Sequence, residues 1–204
     1  MNKLPTIKQI ISGELDLPEK QTALNVLLNQ QPPKDWLKTN KFAGNSEYLP
    51  IDKIEYLLTK IFNDWFVRIN NVRMFGNSIE TSITLFYRPI IDELQEDINN
   101  TSDDNLRTEL IKIKHTRKKE DWYDKQDGTG AAVIQVEAGE KASSFDKIKP
   151  YAIAIAAPKA ESVAISDAAD KIGRVFGKDL NRNSLLPYDS LLDNERFKNI
   201  LKDE

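Results

Sequence analysis

Ala152-Ile153-Ala154-Ile155-Ala156-Ala157-Pro158-Lys159-Ala160-Glu161-Ser162-Val163-Ala164-Ile165-Ser166-Asp167-Ala168-Ala169-Asp170-Lys171-Ile172-Gly173-Arg174-Val175-Phe176-Gly177 is the stretch on which the fold turns. Its composition predicts one long helix over about 147–177, with Pro150 near its start and Gly177 as its stop. Ile165, Ala168, Ala169, Ile172 and Phe176 recur at helical spacing and are expected to face a core, while Lys171, Arg174 and Lys178 share a second face. Ala152, Ala154, Ala156, Ala157, Ala160, Ala164, Ala168 and Ala169 carry little bulk, so this helix is expected to lie close to its neighbours. Pro158, inside the pattern, is expected to kink or divide it.

What precedes the helix reads as an antiparallel sheet. Ile79, Thr81, Ile83, Leu85 and Tyr87 fall on one face and Glu80, Ser82, Thr84 and Phe86 on the other, so one side is buried and one partly open. Gly76-Asn77 signals a hairpin before it, and the chain before that hairpin reads as two short extended pieces, Trp65–Asn70 and Val72–Phe75, with a turn at Asn70-Asn71. Trp122-Tyr123 resumes extended structure, Asp127-Gly128-Thr129-Gly130 reads as a tight turn, and Ala131–Val136 as a further strand. A helix begins near Pro50, its apolar face formed by Ile51, Ile54, Leu57, Leu58, Ile61 and Phe62. The order helix, strands, long helix makes an α+β fold, an antiparallel β-β-β-α core with a curved sheet packed on the Ala-rich helix.

Around this core lie three appendages. Residues 1–35 read as a helical arm, with one pattern near Thr6–Ile11 and a clearer one over Pro18–Leu28, and the core domain runs over 36–182. Trp36–Tyr48 is expected to be an ordered loop. A charged insertion over about 92–120 contains a helix with a narrow apolar stripe from Leu106, Leu110, Ile111 and Ile113. The tail, 183–204, is polar with a short helix around Leu191–Leu201.

Composition removes several function classes. The 204 residues carry a net charge of −3, which does not suit coating of duplex DNA by bulk positive charge, so a nucleic-acid site must be local. There is no cysteine, hence no disulfide and no thiolate chemistry. The one histidine, His115, sits among Lys114, Arg117, Lys118 and Lys119, where cations oppose both metal binding and base catalysis. The acidic block Asp92, Glu93, Glu96, Asp97, Asp103, Asp104 lacks calcium-loop spacing, and Asp127–Gly130 lacks the Lys-Ser or Lys-Thr of a phosphate loop. We therefore expect a non-enzymatic protein with no cofactor and no metal. No apolar run is long enough to span a bilayer and the first residues lack a secretion signal's apolar block, so a cytoplasmic protein without membrane attachment is expected.

Three blocks, in order, resemble the single-strand annealing proteins of the Rad-fifty-two superfamily, particularly its phage and prophage members. The first is Trp36-Leu37-Lys38-Thr39-Asn40 with Tyr48-Leu49-Pro50-Ile51-Asp52-Lys53-Ile54-Glu55 and Ile61-Phe62-Asn63-Asp64-Trp65. The second is Trp122-Tyr123 with Asp127–Ala131 and Ile134-Gln135; the third is Lys159–Gly177 with Asp179-Leu180-Asn181-Arg182. The resemblance implies subunits side by side in a homo-oligomeric ring or helical arc, a basic groove holding single-stranded DNA, and annealing of complementary strands in recombination without ATP. Lys53 and Lys171 match groove positions, and Lys159 and Arg174 match basic family positions. Asp170 departs from the pattern, standing where a second basic residue is usual, which implies a grip either weaker or redistributed to Arg68, Arg73 or Lys149. A single-strand-binding protein or an exonuclease is the candidate further partner. Phe86, Tyr87 and Trp122 are candidates for stacking on bases. The competing expectation, motivated by net acidity, the arm and the charged insertion, is a non-catalytic structural or adaptor protein that binds a protein partner.

Overall fold

The structure, a computed structural model, describes residues 17–41, 44–62, 64–89, 91, 93–118, 122–141 and 143–182. The helices expected near Thr6–Ile11 and Leu191–Leu201 lie outside the described residues. The chain runs α1 (Leu17–Leu28), β1 (Lys38–Asn40), β2 (Ser46–Tyr48), α2 (Ile51–Phe62), β3 (Trp65–Phe75), β4 (Ser78–Tyr87), α3 (Glu93–Asn100), α4 (Asp104–Thr116), β5 (Asp124–Val133) and α5 (Ala152–Asp170), with single 3-10 turns at Lys34–Trp36, Phe145–Lys147 and Arg174–Phe176. β1 and β2 form a small antiparallel hairpin, and β3, β4 and β5 a three-stranded antiparallel sheet in the order β3-β4-β5. This is the α+β fold expected, with α5 laid on β4 and β5. The segment 36–48 is thus a turn and hairpin, more regular than the loop expected.

β4 is the central strand, and both of its faces are covered. Ile79, Thr81, Ile83, Leu85 and Tyr87 are buried beneath the helices, and on the opposite face Thr84 and Phe86 are buried as well, at 4% and 2% exposure. Phe86 and Tyr87 are therefore packing residues, which corrects their assignment as exposed stacking aromatics. β3 is one continuous strand where two pieces and a turn were expected. Asn70 forms a bulge, the register skipping from Ile69 to Asn71, and its side-chain amide donates to Thr84 Oγ1 at 2.9 Å. That bond holds the extra residue against the sheet, so the Asn-Asn pair irregularises the strand without ending it.

Gly128 and Gly130 likewise lie within a strand, paired with Ile83 and Thr81 of β4, and not in a turn. What they provide is space. A Cβ on Gly128 would stand 2.1 Å from the Ala164 carbonyl oxygen, and one on Gly130 2.2 Å from that of Ala160. With Ala156, Ala160, Ala164 and Ala168 buried on the facing side, the backbones of α5 and β5 approach at van der Waals distance. The helix packs two apolar clusters. One joins Ile54, Leu58, Ile61 and Phe62 of α2 to Ile83, Leu85, Ile165, Ala169 and Phe176; the smaller one gathers Ile79, Ala132, Ile134, Ala152, Ala156 and Ala160 towards the sheet's far end.

α5 is shorter than the 147–177 expected. It runs unbroken through Pro158 and ends at Asp170. Ala154, whose carbonyl loses its donor to the proline ring, is exposed, where water can serve instead. Beyond Asp170 the chain leaves the helix, and Gly173 packs so closely on α1 that a Cβ there would lie 2.6 Å from the carbonyl oxygen of Leu28, the last residue of α1. Gly177 follows in the left-handed region (φ 109). Lys171, Arg174 and Lys178 consequently do not share a face of one helix.

The charged insertion holds two helices, not one. Asp103 caps α4 by accepting from the backbone N–H groups of Asn105 and Leu106 at 2.9 and 3.3 Å. No helix among the described residues is long and apolar enough to cross a membrane.

Candidate nucleic-acid interface

Each basic position singled out from sequence has a distinct setting. Lys53, near the start of α2, carries its ammonium 5.3 Å over the Trp36 ring and 3.6 Å from Asp52, and its side chain is 40% exposed. Lys171 Nζ donates to the Asp127 carbonyl at 2.6 Å and to Asp167 Oδ2 at 3.0 Å, and the same carboxylate oxygen accepts from the Thr129 N–H at 3.0 Å. Asp167 and Lys171 together staple the outer edge of β5 to α5, leaving one of the three ammonium donors of Lys171 uncommitted by these contacts. Arg174 is half-buried, and its Nε is buried without a hydrogen-bond partner among the described residues. Lys149 is exposed just before α5.

Arg68 and Arg73 stand on the sheet face turned away from α5, opposite Thr84 and Glu80 of β4. The Arg68 guanidinium lies 4.9 Å over the Phe86 ring, and Arg73 makes a two-pronged bond to Glu80 at 3.1 and 2.9 Å. Lys159 is exposed on α5, across the sheet from them. Within one subunit the sheet therefore separates Arg68 and Arg73 from Lys159.

Lys159 lines a cleft of about 800 Å³ bounded by the β1-β2 hairpin, the outer side of α5 and the turn after Phe176. Leu49, Ile54 and Phe176, all buried, back it and Val163 supplies exposed apolar surface; Lys41, on the hairpin, is a second cation on its wall. Asp170 also lines it, and its pKa is pushed up from 3.8 to about 6, first by burial and then by the neighbouring carboxylates of Asp167 and Asp179, with Lys178 and Lys171 offsetting part of the rise. At neutral pH this carboxylate is an anion held in an unfavourable place.

A second constellation was not assembled from sequence. Arg88, Arg117, Trp122 and Tyr123 line a smaller cleft of about 330 Å³. The Arg88 guanidinium and the Lys114 ammonium lie 5.8 and 5.7 Å from the Trp122 ring. The Tyr123 hydroxyl donates to Asp64 Oδ2 at 2.6 Å, and its pKa is raised, chiefly by that bond and then by burial. The Tyr123 ring meets Phe66 edge-on at 5.1 Å, and Phe66 stacks on Phe86 at 4.7 Å. Arg68, Phe86, Phe66 and Tyr123 thus form one run of cation and ring contacts on the outer sheet face, and Trp122, the residue before Tyr123, forms a second with Arg88 and Lys114 at the same small cleft. Of these, the sequence singles out Phe86 and Trp122 for stacking and Arg68 for backbone contact. The pairing of Tyr87 with Asp124 brings Arg88 beside Trp122, a proximity only the strand register reveals.

Among the described residues no cluster of three or more histidine, aspartate or glutamate side chains could hold a metal ion. No protein-family model matches this chain, and no curated protein matches it.

Proposed function

We propose that this protein binds single-stranded DNA and anneals complementary strands without ATP, working as an array of copies in the cytoplasm. The observation that carries the reading is the relay of two adjoining runs of cation and ring contacts, Arg68 to Tyr123 and Trp122 with Arg88 and Lys114, beside which Arg117 lines the small cleft. Rings adjoining cations are what a lone strand needs, since a base offers a π-face and its backbone a phosphate, whatever the sequence. The net charge of −3 is compatible because each subunit needs only a few phosphate contacts when neighbouring copies share one strand. Lys53, Lys159, Lys171, Arg174, Arg73 and Lys149 are the further candidates for backbone contact. No step of this activity makes or breaks a covalent bond, so the protein acts as a non-enzymatic binder, with a single-strand-binding protein or an exonuclease as candidate partner.

The test is a fluorescent oligonucleotide titrated at several salt concentrations. Wild-type affinity is expected to fall with salt, and the double substitution Arg88→Glu, Arg117→Glu to weaken binding about tenfold or more and to flatten the salt slope by about 0.7 for each lost phosphate contact. Unchanged affinity in that variant would remove the relay from the argument. A second reading, a non-catalytic adaptor for a protein partner, is favoured by apolar side chains left open at the far end of the sheet, with Phe75 77%, Val133 62% and Ile155 62% exposed. No oligonucleotide binding even at low salt would select it.

A further inference from the structure

The hairpin wall of the larger cleft is three residues long on each strand, and its strand residues are exposed or half-buried. A two-stranded ribbon of that size does not hold its own shape in water. Among the described residues, the Asn181 side chain grips its outer edge. Asn181 accepts from the Glu47 N–H through Oδ1 at 2.7 Å and donates through Nδ2 to the Glu47 carbonyl at 2.8 Å. Glu47 is the middle residue of β2, opposite Thr39 of β1, and both of its backbone groups point away from β1 towards the amide. The Asn181 side chain therefore occupies the position a third strand would take.

The turn that presents Asn181 is built for the purpose. Gly177 and Asp179 are both left-handed (φ 109 and 68), the second at a cost a non-glycine residue bears only where its surroundings hold it. Arg182 Nε meets Asp179 Oδ1 at 2.9 Å, and the Asp179 side chain is only 13% exposed. The turn and the hairpin border the same cleft, with Lys41 and Tyr48 on the hairpin and Lys159 on α5.

We infer that Asn181 is a positioning residue for strand binding: its amide fixes β2, and with it Lys41, across the cleft from Lys159, so that the phosphates of a single strand meet both lysines. This rests on the proposed single-strand binding and adds Lys41 and Asn181 to the contact scheme, one as a cation and the other acting through the hairpin.

Two measurements on the full chain test it. Hydrogen exchange reports the clasp without DNA: in Asn181→Ala the Glu47 amide is expected to exchange about tenfold faster, the factor for one lost exposed backbone bond, while α5 amides keep their protection and so certify the fold. Oligonucleotide titration reports the consequence. Asn181→Ala, which removes no charge, is expected to weaken binding about fivefold and to lower the salt slope by about 0.7, the contribution of one phosphate contact. Lys41→Gln is expected to do the same, and the double variant to do no more than either, because both remove one interaction. Unaltered exchange at Glu47 overturns the clasp, and additive losses or an unaltered salt slope overturn the link to Lys41. A wild-type chain that binds no oligonucleotide would instead overturn the proposed function, and the role of the cleft with it, while the exchange result would still stand for the hairpin.

Discussion

Replacing Asp170 by asparagine is expected to make the protein more stable, and the gain should depend on pH in a definite way. The Asp170 carboxyl titrates at about 6 in the fold against an ordinary 3.8, because burial and the adjacent Asp167 and Asp179 disfavour its charge. Each pKa unit is worth about 1.4 kcal/mol, so the rise corresponds to about 3 kcal/mol. Because Asp170 is only half-buried at the wall of an open cleft, screening reduces this to about 1–2 kcal/mol. The folded-state pKa lies above the unfolded one, so the favourable contribution is complete below about pH 4, is lost as the pH rises to about 6, and stays lost above that. Asparagine has the shape without the charge. Asp170→Asn should therefore raise the melting temperature by about 3–6 °C at pH 7.5 and give almost no gain at pH 4. Urea unfolding of both proteins at the two pH values measures it. An equal gain at both, or a loss at pH 7.5, would show that Asp170 is not the strained anion described.

Two further outcomes follow from the same geometry. Gly128→Ala puts a methyl group 2.1 Å from the Ala164 carbonyl oxygen, a backbone atom that cannot swing aside, and is expected to cost about 3 kcal/mol or more in urea unfolding; a near-neutral result would mean that α5 does not sit on β5. Trp122→Ala is expected to weaken oligonucleotide binding by about 1–3 kcal/mol if its ring takes a base, with circular dichroism unchanged, whereas wild-type affinity would restrict Trp122 to holding Arg88 and Lys114 in place.

The α+β architecture was legible because periodicity survives without coordinates. Ile54, Leu58, Ile61 and Phe62 are buried at the helical spacing that marks them, and Ile79, Thr81, Ile83, Leu85 and Tyr87 are buried on the face read for them, while Thr84 and Phe86 on the other face are buried too. The errors came where a residue has two physical uses. Glycines in Asp127–Gly130 suit a turn, yet here they admit a helix backbone, a need set by Ala160 and Ala164 more than thirty residues later. The Asn70-Asn71 pair suits a turn, yet Thr84 on the next strand captures Asn70. The helix ends at Asp170, before the expected stop at Gly177, and Gly173 beyond it admits the backbone of Leu28, far away in sequence. The candidate site was harder to read for the same reason. Arg88 and Trp122 become neighbours only through the register of β4 with β5, and Asn181 meets Glu47 only through the path of the turn after α5.

That dual use also decides which substitutions inform on DNA. Lys171 is among the proposed backbone contacts, and Lys171→Glu is the natural first variant. In the structure its ammonium bridges the Asp127 carbonyl and the Asp167 carboxylate, so glutamate there would face a carbonyl oxygen and a carboxylate with no cation between them. The edge of β5 would lose its staple, and a fall in strand affinity could then arise from a displaced sheet as readily as from a lost phosphate contact. Lys171→Gln removes the charge yet keeps an amide donor, one bond shorter in reach, and puts no anion beside Asp167, which makes it the more telling change. Arg88 and Arg117 carry no such double role in the sheet: they border the smaller cleft with Trp122, so charge reversal there acts on the relay itself. A loss of binding at Arg88 and Arg117 with little effect of Lys171→Gln would assign the strand to the outer sheet face. The opposite pattern would assign it to the side of α5, where Lys159 and Lys41 line the larger cleft.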